Sequence, residues 1–91
     1  MREPMILGTK WKIGQRVTCK QPEPAYYSGY GGAPVCSFEP SMDGIVVDVI
    51  PPVRGNLKYL VLVDFIDYRQ PTESQFYVRR CALAPGNVVA L

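Results

Sequence analysis

The sequence contains no histidine, and this absence excludes much of ordinary enzyme chemistry. Histidine is the commonest general base at neutral pH and the usual partner that activates a serine or cysteine nucleophile. The three cysteines, Cys19, Cys36 and Cys81, lie far apart and form no C-x-x-C pair. We therefore expect buried, reduced thiols, with no metal site and no cofactor.

Long apolar runs are also missing. No stretch of about 18 apolar residues is present, which predicts no membrane-spanning helix. In the N-terminal segment, Gly8, Thr9 and Lys10 interrupt the apolar core that a secretion signal requires. The sequence thus predicts a cytoplasmic protein with an N-terminal arm over residues 1–10 and a single domain over residues 11–91.

Basic residues are absent from residues 21–53, which carry four acidic residues. Residues 1–20 carry five basic residues and one acidic residue, so the net charge of +2 hides an asymmetry. This distribution indicates a mildly dipolar surface. It does not resemble the dense basic stripe of a dedicated nucleic-acid-binding domain.

Helical patterns are scarce, because nine prolines leave few windows long enough for a helix. The intervening segments have the short β-branched and alternating patterns of strands. They predict five strands, at 14–21, 44–51, 58–65, 75–80 and 87–91, with a hairpin turn at 53–57 and a 3₁₀ turn at 81–86. The 58–65 strand is apolar on both faces, which predicts a central, covered position. Gly44 predicts a bulge or a close backbone approach.

The longest stretch without a predicted strand is residues 22–43, which includes EPAYYSGYGGAPVCSFEP. Long loops inside small domains are usually either functional or disordered. The glycines of this segment lack the Lys-Ser/Thr pair and the helix of a phosphate-binding loop. Its distinctive chemistry is therefore aromatic.

The order of the predicted elements resembles that of SH3-like small β-barrels. Gly14-Gln15-Arg16-Val17 and Gly44-Ile45-Val46 are similar to the G-x-x-V and G-x-V elements of many such barrels. The resemblance implies an all-β, five-stranded SH3-like barrel with a short 3₁₀ turn before the last strand. Residues 22–43 would then correspond to the long first loop, the RT loop.

In SH3-like barrels the RT loop lies beside a later loop and strand, and aromatic grooves there bind peptides or stack on bases. The resemblance implies a ligand-binding surface that comprises Tyr26, Tyr27, Tyr30, Phe38, Tyr68 and Tyr77. Tyrosine offers a large contact area at low entropic cost, which suits recognition of a protein or peptide. The alternative is that these rings fold inward as a lid over an open barrel end.

Two other binding modes stay open at this point. A platform for single-stranded nucleic acid would use basic and aromatic side chains together. Its candidate residues are Lys10, Trp11, Lys12, Arg16, Lys20, Arg79 and Arg80. Self-association through exposed strands or the long loop would instead give a homo-oligomer.

A more local resemblance is to the plasmid-type (type B) dihydrofolate reductases, which are SH3-like barrels with four copies around a pore. It is carried by Arg16-Val17 with Lys20, and by Ser74-Gln75-Phe76-Tyr77 with Ala82-Leu83. It implies a homotetrameric enzyme with Lys20, Gln75, Phe76 and Tyr77 in its active site, and a gene carried on a mobile cassette. Phe76 stands where that family has isoleucine, and residues 22–43 have no counterpart there. We therefore expect a non-catalytic binding or assembly module.

Overall fold

A computed structural model of the chain describes residues 10–27, 33–52, 59–66 and 78–91. Within these ranges the chain forms seven strands and one 3₁₀ turn. The strands are β1 (Arg16–Cys19), β2 (Glu23–Tyr27), β3 (Cys36–Phe38), β4 (Gly44–Ile50), β5 (Leu60–Ile66), β6 (Val78–Leu83) and β7 (Val88–Ala90), and the turn is Pro85–Asn87. The all-β prediction is confirmed, but the predicted count of five strands is too low.

All seven strands belong to one antiparallel sheet, in the order β3-β2-β6-β5-β4-β1-β7. The sheet curls into a half-barrel, with a concave inner face and a convex outer face. β5 is the middle strand, as its apolar sequence predicts. Its inner-facing side chains Val61, Val63 and Phe65 are buried, whereas its outer-facing side chains are only half-buried. The prediction of a strand covered on both sides therefore holds fully for the inner face alone.

The two additional strands, β2 and β3, arise within the segment that was expected to be one long loop. They pair antiparallel, with Ala25 opposite Cys36. Pro24 has no N–H to donate, yet it sits inside β2. The carbonyl of Ala25 points toward β3, where it accepts a hydrogen bond from the Val35 N–H. The backbone nitrogen of Pro24 therefore points away from β3, toward β6. Pairing between β2 and β6 begins only at Tyr26. A proline is tolerated where its missing N–H is not required by a neighbouring strand.

The 3₁₀ turn lies later in the chain than predicted. Cys81, Ala82 and Leu83 continue β6 and pair with β5, and only Pro85–Asn87 form the turn. Alternate burial of Cys81 and Leu83 satisfies the strand pattern, so the sheet extends until Pro85 fixes a helical backbone angle. The turn still directly precedes the last strand.

The core lies against the inner face of the sheet. It consists of Trp11, Val17, Cys19, Ala25, Phe38, Val46, Val61, Val63, Phe65, Cys81, Leu83 and Val88. The rings of Phe38 and Phe65 pack with their centroids 4.7 Å apart. Gly44 faces the same region, and a Cβ atom there would lie 2.3 Å from Cγ1 of Val63. The predicted close approach at Gly44 is therefore confirmed, whereas the bulge falls between Val46 and Asp48.

Several predicted features lie outside the described residues. These are most of the N-terminal arm, the 53–57 turn and the first half of the 75–80 strand. The strands that flank the predicted turn, β4 and β5, do pair antiparallel, with Ile50 opposite Leu60. In the described part of the chain, no helix has the length and apolar composition needed to cross a membrane.

Candidate protein-contact surface

One transverse row of side chains crosses five neighbouring strands on the outer face. The strand register places Arg16 beside Ile45, Ile45 beside Asp64, Asp64 beside Arg80, and Arg80 beside Tyr26. Leu91 extends the row beyond Arg16, because its N–H donates a 3.0 Å hydrogen bond to the Arg16 carbonyl. We call Leu91, Arg16, Ile45, Asp64, Arg80 and Tyr26 the outer row. Five strand intervals make it about 24 Å long.

The outward direction of this row follows from the alternation of side chains along each strand. Each row residue within a strand is next to a residue whose side chain is buried in the core. These buried neighbours are Val17, Val46, Val63 and Phe65, Arg79 and Cys81, and Ala25. The alternation of strand residues thus assigns the row to the face away from the core.

Asp64 and Arg80, which are neighbours in the outer row, form an ion pair with two hydrogen bonds. Arg80 donates from Nε to Oδ1 of Asp64 at 2.7 Å and from an Nη atom to Oδ2 at 3.0 Å. This fork geometry holds the guanidinium plane in one orientation. The hydrogen bonds that Arg80 donates to Asp64 raise the pKa of Arg80, so its positive charge is retained at any physiological pH. Asp64 therefore positions Arg80 between β5 and Tyr26 on β2.

A second ion pair lies at the β1 side of the row. Arg16 donates from its guanidinium to the carboxylate of Asp43, and both side chains are largely exposed. Exposed pairs of this kind contribute little to folding stability, about 0 to 1 kcal/mol. Their main consequence here is electrostatic, since each arginine of the outer row has a carboxylate neighbour.

An open groove of about 550 Å³ runs beside Ile45. Its apolar lining comes from Ile45, Val47, Ile66 and Val78, and its charged lining from Arg16, Asp43 and Asp64. Ile45 is 47% exposed and Val78 is 37% exposed. The bulge after Val46 inserts Val47 as an extra residue and adds its side chain to the groove. Because these apolar side chains line one groove together, they form a contiguous apolar stretch, which is where an interaction surface is sought.

The predicted aromatic surface is only partly described, and its described members do not share one face. Tyr26 is half-buried in the outer row, whereas Phe38 is fully buried and packs on Phe65. The backbone of Tyr27 pairs with Arg79. Tyr30, Tyr68 and Tyr77 lie outside the described residues. Phe38 is thus a core residue that no ligand reaches, while Tyr26 belongs to an accessible row.

The residues predicted for nucleic-acid binding are distributed over different environments. Lys10 lies over the Trp11 ring, 4.9 Å from its centroid, and Trp11 itself is 2% exposed. Arg79 is buried on the inner face. Arg16 and Arg80 belong to the outer row, and Lys12 borders a separate depression of about 390 Å³. Of this set, Lys10 and Lys20 are exposed lysines.

The residues that the reductase resemblance implies are mostly outside the described ranges. Lys20 is exposed, and its backbone N–H donates to Asn87. Gln75, Phe76 and Tyr77 are not among the described residues. Across residues 10–27, 33–52, 59–66 and 78–91, no three histidine, cysteine, aspartate or glutamate side chains are placed to hold a metal ion.

The thiols are core residues in character. Cys19 and Cys81 are buried and Cys36 is half-buried, all three as free thiols. Burial raises the pKa of Cys81 to about 12, with nearby Glu23 adding to the effect. Burial also raises the pKa of Cys19, whose Sγ donates to the Phe38 carbonyl at 3.4 Å. At neutral pH these two sulfurs are protonated and unreactive, because the thiolate is the nucleophilic form.

Sequence reasoning did not assign Ile45, Asp64 or Val78 to a binding surface. One available signal was Asp64, a charged residue in the middle of an otherwise apolar strand. A charge at the centre of a sheet needs a partner on a neighbouring strand, and Arg80 provides it. A second signal was the apolar excess of β4, in which Ile45 faces outward by strand alternation and the bulge adds Val47 to the groove.

The fold and this face define a class of molecule, a small all-β domain whose curled sheet has an open, partly apolar groove flanked by two ion pairs on its outer face. Comparison with known proteins does not narrow that class. No protein-family model matches the chain, and no curated protein or solved structure is significantly similar to it. The function is therefore inferred from the geometry of the outer face.

Proposed function

We propose that the protein is a non-catalytic binding or assembly module that contacts another protein through the outer face around Ile45. The observation that carries the proposal is the exposure of Ile45 and Val78 beside the open groove. Covering the exposed half of each side chain would contribute about 1 kcal/mol. A rim of fixed ion pairs around such an apolar centre is the usual anatomy of a protein interface.

The charge arrangement favours a protein over nucleic acid as the partner. Arg80 is held by Asp64 through two hydrogen bonds, and Arg16 is held by Asp43. A phosphate group would have to compete with these carboxylates for each guanidinium. Nucleic-acid binding depends on basic groups that release counterions when they contact phosphate.

We also infer that the fold is an SH3-like barrel with an elaborated first connection. Five strands in the order β7-β1-β4-β5-β6, with a 3₁₀ turn directly before β7, support this assignment. β2 and β3 then occupy the position of the RT loop, and Tyr26 is the member of the predicted tyrosine surface that joins the outer row. This placement connects the loop to the groove through Arg80.

Site-specific photo-crosslinking tests the proposed contact surface. One variant carries p-benzoylphenylalanine in place of Ile45, and the matched control carries it in place of Ile13. Ile13 is 46% exposed, close to the 47% of Ile45, but belongs neither to the outer row nor to the groove. Each purified variant is added to an extract of cells that naturally express the chain, irradiated and examined by gel electrophoresis and mass spectrometry.

The proposal predicts discrete protein crosslinks from position 45 that are absent or much weaker from position 13. Equal patterns from the two positions, or no product from position 45, would contradict it. A crosslinked product from position 45 that is removed by nuclease would support the nucleic-acid alternative instead.

A further inference from the structure

The partner that best fits the outer face is a second copy of this chain, and this inference rests on the proposed function above. We propose that two copies pack outer face to outer face around a two-fold axis. The axis lies between the Ile45 side chains of the two copies and runs parallel to β4. In a two-fold interface the same patch contacts itself, so the patch must be self-complementary. The sequence of side chains in the outer row meets that requirement.

The complementarity follows from the positions of the two nearest row members. Arg16 and Asp64 are the neighbours of Ile45 on β1 and β5, each about 4.8 Å to one side. A two-fold rotation about Ile45 exchanges these two sides. It places the Arg16–Asp43 pair of each copy opposite the Asp64–Arg80 pair of the other, with the two Ile45 side chains facing each other at the axis.

The next positions in the row are also compatible with this arrangement. Leu91 lies two strands from Ile45 on one side, and Arg80 lies two strands away on the other. The rotation brings Leu91, which is 59% exposed, to the same side as Arg80 of the other copy. The two convex outer faces diverge there, so the contact is centred on Ile45, Arg16 and Asp64. A rotation centred between Ile45 and Asp64 would instead place Arg16 opposite Arg80, so the charges select the axis through Ile45.

The charge balance of the face also favours a second copy over a strongly charged partner. The groove and the outer row contain two arginines and two aspartates, Arg16, Arg80, Asp43 and Asp64. A highly acidic or highly basic surface would gain no net attraction from this set. In an identical surface, Arg16 of each copy meets Asp64 of the other on both sides of the axis, which fixes orientation as well as partner.

Crosslinking of purified protein tests the arrangement directly. The variants are Ile45→Cys and Ile13→Cys, each in a Cys36→Ser background that leaves only the two buried native thiols. Packed sheets lie about 10 Å apart, so a short bis-maleimide, which joins two thiols across a gap of that size, is the suitable reagent. We expect a rapidly formed covalent dimer from Ile45→Cys and only slow, collision-limited dimer from Ile13→Cys.

Two charge variants then test the axis. In the Ile45→Cys protein, Arg16→Glu should lower the amount of crosslinked dimer about tenfold, because it places a carboxylate opposite Asp64 of the second copy. Lys20→Glu makes the same change in net charge at an exposed site outside the row and should leave the yield unchanged. Circular dichroism verifies that each variant is folded.

Equal crosslinking of the Ile45→Cys and Ile13→Cys proteins would overturn the second copy as partner. Equal yields for the Arg16→Glu and Lys20→Glu variants would rule out the proposed axis. These failures are distinguishable from failure of the proposed function. If position 45 still photo-crosslinks to a different protein in the extract, the outer face remains a contact surface with another occupant.

Discussion

Gly44 is a position at which the fold leaves no room for a side chain. A Cβ atom there would lie 2.3 Å from Cγ1 of Val63, 3.0 Å from Cζ of Phe38 and 3.3 Å from the Asp64 carbonyl oxygen. The glycine thus allows β4 to approach β5 closely at the start of the groove. Gly44 is needed for its lack of a side chain and not for its backbone angle. Among the described glycines, a positive φ occurs at Gly14, at +89°.

We expect Gly44→Ala to lower the free energy of unfolding by about 1–3 kcal/mol, the usual cost of adding a methyl group to a packed core. Gly86→Ala is the matched control, since nothing lies within 4 Å of a Cβ at that position. It should change stability by no more than about 0.5 kcal/mol. Urea denaturation measures both, and similar values for the two variants would contradict the close packing at Gly44.

The buried thiol of Cys81 makes a second prediction at this scale. Its pKa is about 12 in the folded protein against 9.0 for a free thiol. The unfolded chain therefore loses this proton first, and stability falls as pH rises from about 9 toward 12. The slope from this one group is at most about 1.4 kcal/mol per pH unit.

Urea denaturation of the wild type and of Cys81→Ala at pH 8, 9, 10 and 11 isolates this effect. All other ionisable groups are common to both proteins, so their effects cancel in the difference between the two unfolding free energies. The wild type should lose its stability more steeply than the variant, which keeps the smaller contribution of Cys19. Identical slopes in the two proteins would mean that burial does not hold the Cys81 proton.

At the scale of elements, Asn87 joins the 3₁₀ turn to the connection between β1 and β2. Its Oδ1 accepts hydrogen bonds from the N–H groups of Lys20 at 2.9 Å and Gln21 at 2.8 Å. Its Nδ2 donates to the Gln21 carbonyl at 3.1 Å. One side chain therefore satisfies three backbone groups at the point where the chain turns from β1 into β2.

Asn87→Ala should cost about 1–3 kcal/mol of stability, because each lost hydrogen bond contributes about 0.5–1.5 kcal/mol. Asn87→Asp keeps the acceptor and loses the donor, and it also places a carboxylate near Glu23, so we expect an intermediate loss. Thermal and urea denaturation give the ranking. If Asn87→Asp is as damaging as Asn87→Ala, the amide oxygen is not what holds the turn.

The elements differ in how well the sequence predicts them. β4 and β5 are recognisable because each is a run of apolar, largely β-branched residues with one aspartate, and β1 because Val17 and Cys19 alternate with polar residues. β2 and β3 escape prediction because proline, glycine and tyrosine dominate that segment. The pairing of β2 with β3 on one side and with β6 on the other overrides this local composition.

The candidate site is harder to predict than the strands. Arg16, Ile45, Asp64, Arg80 and Tyr26 come from five separate strands, and only the register of the sheet aligns them. A shift of one residue in any strand would move its row member to the inner face. Composition and spacing along the chain do not fix that register, although the lone Asp64 indicates that a partner must exist.

At the scale of the whole molecule, we propose that a second copy of the chain covers the outer face around Ile45. A chain of this length buries a limited core, so covering an apolar outer face adds burial that a single copy lacks. This arrangement accounts for the exposed apolar centre, the balanced ion pairs and the two-fold complementarity of the outer row. It also makes association dependent on one side chain.

Sedimentation equilibrium over a wide concentration range tests this claim most directly, with the wild type, Ile45→Arg and Ile13→Arg compared under the same conditions. The arginine at position 45 would face its own copy across the axis, so we predict that this variant keeps the 10.2 kDa mass of one chain. The wild type and Ile13→Arg should instead approach twice that mass as concentration rises. A wild type that stays at the single-chain mass, or an Ile45→Arg protein that associates as readily as the wild type, would contradict the account.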